Sequence, residues 1–397
     1  MTVAQAQKAI ESLRMGIPPN GYVRHFTVGR ESEINQLLGR LRKPQIGALL
    51  LKANYGSGKS HLLRFLRETA LEEGYAVSSV TLDSKSAVRF NKMDQILGAI
   101  WRGMEVPGGK AELGIRAFFD LAKRRIEEAK QNNETSFWYH ISSHWKWDHS
   151  EVLASPGMFV ALRAWLCGIE RIRDLIQDWL FQPWVYHTQR KYLYEELVSK
   201  LRGYFRDPRA DWMFYKDGVF AFNTQGYQQS WAMLRDIQAL ALNCGLKGFI
   251  VLFDEFEDVL TSLTNVAHQE SAFWNLFQFY AGNQFPAMTF FAVTPEFADK
   301  CKVRLMVKGR WDYDYSRFDQ LPTFAMSPLE PKELEALAKR IMDAHGIAYS
   351  WEPDGAMKAA RLRAVVNNAA SVQVQDRARH TITEVVKVLD QLLEDGH

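Results

Sequence analysis

Residues 53–60 read Ala53-Asn54-Tyr55-Gly56-Ser57-Gly58-Lys59-Ser60, and these residue types at this spacing can hold a chain of phosphates. Small residues let successive backbone N–H groups curl around phosphate oxygens. Lys59 reaches the outer phosphates as a point charge, Ser60 offers its hydroxyl to a magnesium ion, and a helix opening here adds its N-terminal dipole. Ala53 stands where the pattern G-x-x-x-x-G-K-[ST] has its first glycine. A chance match in a surface turn would need no particular flanks. Here residues 47–53, GALLLKA, are an apolar run of strand length, and a helical pattern runs from Lys59 to about Glu73. The ligands these residues imply are ATP and Mg2+, held by the eight residues above with His61 beside them.

Hydrolysis needs an acidic partner site. The run Gly248-Phe249-Ile250-Val251-Leu252-Phe253-Asp254-Glu255 places two carboxylates at the end of a buried strand, where ligands bind in open α/β sheets. Asp254 is the expected magnesium residue, through water, and Glu255 the expected general base. The alternative is a strand that ends in two solvated acids. Glu257 and Asp258 continue the acidic run and read as a solvated helix face. Another apolar strand ends at Thr294, which can either reach the γ-phosphate or cap the next helix. Beyond it lie Lys300, Lys302, Arg304, Lys308 and Arg310, then Ser316-Arg317-Phe318. An arginine from this stretch can be contributed to a neighbouring subunit's ATP; the plain alternative is an ordinary basic surface.

These residues need a scaffold. Apolar runs at 47–53, 75–82, 248–254, 287–293 and 322–326 alternate with helical patterns, which predicts a five-stranded parallel sheet with helices on both faces. Shorter helices are expected at 4–14 and 31–42. Residues between strands two and three are far more than a crossover needs. Their helical patterns, such as Ile115, Phe118, Phe119, Ala122 and Ile126, predict a helical insertion over 105–235 that forms a unit of its own. The expected organisation is therefore 1–104 as the first part of the core, 105–235 as the insertion, 236–327 as the second part of the core, and 328–397 as a helical lid that begins at Pro328-Leu329-Glu330-Pro331.

The bulk numbers exclude several classes. With 397 residues, 47% of them hydrophobic and a net charge of +3, the chain can build a large core and carries no charge excess that demands nucleic acid. Three widely spaced cysteines fit a reducing cytoplasm, without a disulfide framework. No apolar run approaches the roughly 18 residues that a membrane span needs, and Met1–Arg14 does not read as a signal peptide.

Taken in order, these parts resemble a AAA+ ATPase of the origin-recognition and STAND side. Phe26-Thr27-Val28-Gly29-Arg30-Glu31 resembles that group's opening segment near the adenine, which implicates Val28 and Gly29. Ser316-Arg317-Phe318 resembles its arginine-finger box, which makes Arg317 a catalytic candidate beside Glu255 and Thr294. Arg377 and Arg379, ahead of a final helix expected at 381–393, stand where such proteins carry a second sensor arginine, although no Pro-Arg pair or Gly-x-Pro triplet precedes them. More narrowly, Ala9-Ile10-Glu11-Ser12-Leu13-Arg14, the Gly29-Arg30-Glu31 segment, Lys52 to His61 and the long insertion resemble the ATP-binding proteins of bacterial BREX phage defence, the BrxC/BrxD type. That resemblance implies an ATPase coupled to conformational change in a DNA-directed defence complex. It would assemble with itself in response to ATP and meet a helicase-like or other defence protein, with DNA as a further candidate contact and no membrane. The rivals are a slow nucleotide switch gating a helicase or nuclease, and a P-loop kinase.

Three further groupings carry less. His140, His144 and His149 lie among tryptophans, and the first two are spaced to bind zinc on a helix; without a Glu-x-x-His pattern, aromatic packing explains them better. Lys123-Arg124-Arg125 reads as a solvated face or a phosphate contact. Trp179, Trp184 and Tyr186 near Pro183 read as anchors for a protein partner.

Overall fold

The computed structural model describes residues 1–43, 46–82, 88–109, 114–134, 137–142, 149–166, 168–183, 222, 225–259, 263–310, 312–374 and 376–395. Its centre is a six-stranded sheet in the order β3-β2-β4-β5-β1-β6. The strands are β1 (Gly47–Lys52), β2 (Ala76–Thr81), β3 (Met104–Glu105), β4 (Phe249–Asp254), β5 (Met288–Val293) and β6 (Thr323–Ala325). Five of them correspond to the five apolar runs and pair in parallel. The sixth corrects the expected count. Met104 and Glu105 pair antiparallel with Ser78 and Val77 at the sheet edge. Two residues carry no periodicity, so no pattern announces such a strand.

Each central strand is buried on both faces, and alternate residues feed different cores. Ala48 and Leu50 of β1 join Phe249, Val251 and Phe253 of β4 in one cluster. Leu49 and Leu51 join Ile250 and Leu252 in another, completed by the helices Glu31–Arg42 and Lys59–Glu72. The first cluster is much the larger. It takes in Trp101, Phe118, Phe119, Trp165, Trp179 and Trp231, so the helices Gly114–Gln131, Pro156–Leu166 and Glu170–Phe181 pack into the same core as the sheet rather than into a separate one. Trp179 is buried there against Phe222, 5.8 Å between ring centroids, and is not an exposed anchor. Trp184 and Tyr186 lie outside the described residues.

A third cluster joins the two ends of the chain. The N-terminal helix Val3–Arg14 and the residues Phe26 and Val28 pack against the C-terminal helices Pro331–Tyr349, Ala359–Ala369 and Arg377–Glu394. A polar network locks this contact. Arg14 grips both oxygens of Asp390 at 2.9 Å, and Trp351 donates to His345 Nδ1 at 2.9 Å. The other ring nitrogen of His345 therefore carries the proton and donates to Asp390 Oδ1 at 3.0 Å. Among the described residues, no helix is long and apolar enough to cross a membrane.

Candidate functional site

β1 hands its chain directly to the phosphate-type loop. Ala53 N–H continues the ladder by donating to the Val293 carbonyl at 3.1 Å. The loop then needs two left-handed residues, and glycines supply both: Gly56 at φ 74° and Gly58 at φ 99°. Gly58 is the N-cap of the helix Lys59–Glu72 and no side chain caps it. The first N–H groups of that helix are thus left without a side-chain acceptor, which is the condition for anion binding at a helix N-terminus. Lys59 is only 5% exposed. Its Nζ donates to the Ala53 carbonyl at 2.9 Å, pairs with Glu257 Oε1 at 3.3 Å, and lies 4.5 Å from the centre of the Tyr55 ring.

Around this loop is a cleft of about 270 Å³. Asn54 to His61 form one wall and Glu255 closes one side. Apolar residues also line it, among them Leu13, Ile17, Phe26, Val28, Met326, Leu337 and Ile382, together with the polar Thr27, Arg30, Asp376 and Arg379. A lining that combines the phosphate-type loop with apolar side chains suits a ligand with a charged chain and a flat base. Of the residues named from sequence, Val28 lines the cleft and Gly29 does not. A Cβ on Gly29 would fall 2.2 Å from the Glu333 side chain, and its φ is 61°. Its smallness serves the approach of the lid helix.

Two basic residues divide in the same way. Arg379 lines the cleft and packs over Gly16, where a Cβ would meet its Nε at 2.8 Å. Arg377 instead points back to the Val372 carbonyl at 3.4 Å. The last helix begins at Arg377, so both arginines belong to its first turn rather than preceding it.

The acid pair sits two strands away, because β5 lies between β1 and β4. Asp254 ends β4 and its Oδ1 accepts the Glu255 N–H at 3.0 Å. Glu255 is in the left-handed region at φ 54°, a conformation that costs a non-glycine residue of order 1 kcal/mol and that clusters at functional sites. Glu255 lines the cleft. Thr294 follows β5, between these two groups in the sheet order. It is 4% exposed and its hydroxyl has no hydrogen-bond partner among the described residues. The capping reading is therefore excluded, since the next helix has Glu296 at its N-cap and no side-chain cap bond.

Glu257 overturns its expected role. It is 7% exposed and ion-paired with Lys59, so it is no part of a solvated face. Its ion-pair partner lies 198 residues away in sequence, and no local pattern signals that contact. Arg30 was equally silent. It is 6% exposed and lines the cleft. His61, beside the loop, has its imidazole pushed down to about 4 by burial, with Arg30 and Arg64 adding to the effect. Thr27 donates its hydroxyl to the Val23 carbonyl at 2.8 Å, so His61 Nε2 is the donor in their 2.8 Å contact. A neutral imidazole results, and it adds no charge against a phosphate chain.

Arg317 is elsewhere. Its guanidinium stacks 4.1 Å over the Phe277 ring and does not line the cleft. The neighbouring basic stretch is largely paired: Lys300 with Glu296, Lys302 with Asp319, and Arg310 with Glu270. Lys123 and Arg125 likewise face Glu127 and Glu128 of their own helix. His140 pairs with Glu151 at 2.9 Å, His144 lies outside the described residues, and no three-residue metal cluster occurs among those described.

The family model for the BREX system ATP-binding protein BrxC/D matches residues 2–134 and 226–396. The chain belongs to this family. The two matched stretches hold every residue that lines the cleft, and the interval between them falls within 105–235, the span expected as an insertion. No curated protein and no solved structure matches the chain. The BrxC/D assignment makes the chain an ATP-binding component of a BREX system.

Proposed function

We propose that this BrxC/D protein hydrolyses ATP and uses the cycle to drive conformational change in a defence complex. One observation carries the reading. The uncapped loop and buried Lys59 on one side, and Glu255 on the other, face the same cleft from β1 and β4. A site that only retained nucleotide would not need an acidic residue held at positive φ on the wall of the cleft.

Each residue has a definable task. The N–H groups from Gly56 to Ser60 bind phosphate oxygens, and Lys59 balances their charge. Ser60 and Asp254 suit a magnesium ion, because that ion keeps several waters and takes one or two protein oxygens together with the phosphates rather than a full protein cage. The metal would neutralise charge that builds on the phosphates during their cleavage. Glu255 orients a water and takes its proton. The free hydroxyl of Thr294 is a donor for the γ-phosphate or for that water. Arg379 and Arg30 reach the cleft from the lid helix and from the opening segment, so nucleotide would bridge the sheet and the lid. That bridge is the physical link between ATP and domain movement.

Arg317, remote from the cleft of its own chain, suits a donor to the ATP of a second copy, with ATP-dependent self-assembly as the corollary. A helicase-like defence protein is the proposed partner, and the basic stretch from Lys300 to Arg310 is the proposed contact for DNA. Phosphate release from ATP by the purified chain, with magnesium and then with EDTA, tests the core of the proposal. Release that depends on magnesium supports it; tight ATP binding without release over many hours replaces the motor by a switch.

A further inference from the structure

Glu257 occupies a position that the ATPase reading does not use. It lies on the short turn Phe256–Asp258 that follows the strained Glu255. Phe256 pins the turn, with ring centroids 4.5 Å from Phe291 and 5.5 Å from Phe297. The side chains of Lys59 and Glu257 are 6% and 7% exposed, and they meet through a single 3.3 Å contact at Oε1. The second oxygen, Oε2, is buried and has no hydrogen-bond partner among the described residues. A buried carboxylate that satisfies only one of its oxygens is poorly compensated. Lys59 is better supplied, because it also has the Ala53 carbonyl and the Tyr55 face.

From this geometry we propose that Glu257 is a positioning residue, a resident counter-ion that holds and neutralises Lys59 until the phosphate chain replaces it. The inference rests on reading the cleft as an ATP site and adds its regulation. Lys59 is the group expected to meet the outer phosphates, yet its charge is already spent on Glu257. Incoming phosphate must compete with that carboxylate, and the single contact makes the exchange reversible. The consequence is a site whose affinity is set below what its lysine alone would give. Such a site releases nucleotide, as a cycling enzyme must.

The test is Glu257→Gln, which keeps the shape and removes the charge. ATP binding is measured by titration calorimetry, and thermal unfolding is followed with and without saturating ATP. The expected result is a roughly tenfold tighter ATP complex, close to the lower end of the range measured for close charge pairs, together with a larger ATP-induced rise in Tm than in the unmodified chain. A merely structural glutamate would lower both melting temperatures equally and leave the rise unchanged. ATP affinity that is equal or weaker in E257Q overturns the proposal. If E257Q fails to fold, Lys59→Met combined with Glu257→Gln is the second variant. Recovery of folding there supports an action through Lys59, since it removes the uncompensated ammonium, and failure to recover overturns it. Absence of ATP binding in the unmodified chain would overturn the nucleotide reading itself. Normal binding there, with no change in E257Q, overturns the counter-ion role alone.

Discussion

Arg30 donates to the carbonyl of Ser57 at 3.0 Å and, through its other terminal nitrogen, to the carbonyl of Ser327. One planar guanidinium therefore ties the phosphate-type loop to the segment that leads into the lid, and a third contact, to Glu33 at 3.1 Å, holds it in place. Hydrogen bonds from a charged group contribute about 1.5–3 kcal/mol each, and an orphaned buried carbonyl adds its own cost. Arg30→Ala is expected to lower stability by roughly 3 kcal/mol and to weaken ATP binding. Arg30→Lys should rescue little, because an ammonium cannot span two carbonyls in a fork. Denaturant unfolding and an ATP titration of both variants check this; a lysine variant that behaves like the native chain would show that charge alone matters there.

Lys59→Ala and Glu255→Gln should separate binding from chemistry. Loss of Lys59 removes the main cationic partner of the outer phosphates, so ATP affinity should fall below detection. Glu255→Gln keeps the cleft and the cation, so ATP should still bind while turnover drops by a hundredfold or so, the usual contribution of a general base. Filter binding and phosphate release, measured side by side, distinguish the two. Turnover at the native rate in the glutamine variant would assign the base to another residue.

Most of the scaffold was legible because it rests on local pattern. Apolar runs such as Gly47–Lys52 and Phe249–Asp254 are strands buried on both faces, and their composition states as much. The loop at Gly56 and Gly58 was legible because left-handed backbone tolerates few residue types. What escaped depends on contacts between distant parts of the chain. Met104–Glu105 becomes a strand only because Val77 and Ser78 offer an edge. Glu257 looks like one acid in a solvated run until the turn after Glu255 carries it onto Lys59. Arg30 is only one member of the opening segment until the Ser57 and Ser327 carbonyls converge on it. Trp179 shows the opposite error: an aromatic near a proline suggested a binding surface, and the fold used it as core.

Arg377 and Arg379, two positions apart, should differ in effect. Arg379 lines the cleft over Gly16, whereas Arg377 turns to the Val372 carbonyl. Arg379→Ala should weaken ATP binding by roughly tenfold, the scale of one charge-assisted contact, and Arg377→Ala should leave it within twofold or so. Gly16→Ala offers an independent check, because a Cβ at 2.8 Å from the Arg379 Nε must push that side chain aside. Equal losses for both arginines would remove the distinction.

The Arg14, Asp390 and His345 network should make the joint between N-terminal helix and lid sensitive to acid. Burial raises Asp390, but the hydrogen bonds from Arg14 and His345 more than reverse this and leave it below its usual value. Burial holds His345 below its ordinary value, against the opposing pull of Asp390. Both groups thus bind fewer protons folded than unfolded as the pH falls. Their contributions to stability are complete at neutral pH; that of His345 declines from about pH 6.5 downward, and that of Asp390 is lost below the ordinary carboxylate range. Asp390→Asn should melt earlier at pH 7, and the gap from the unmodified chain should narrow as the pH approaches 3. A gap that stays constant with pH would mean that the network acts through packing alone.

Arg317 provides the sharpest test of assembly. It does not line its own cleft and is partly buried on the Phe277 ring. Arg310, engaged with Glu270, is the less available of the two. If Arg317 serves the ATP of a second copy, Arg317→Ala should bind ATP nearly as the native chain does and turn it over far more slowly, since an arginine supplied in trans is worth roughly 10³–10⁵ in rate. Native activity per molecule should rise with protein concentration. Mixing Arg317→Ala with Lys59→Ala then gives a result that neither variant gives alone. The first brings an intact cleft and the second an intact arginine, so mixed interfaces contain one complete site and some activity should return. Activity independent of concentration, with no recovery on mixing, would mean that Arg317 works within its own chain or only packs on Phe277.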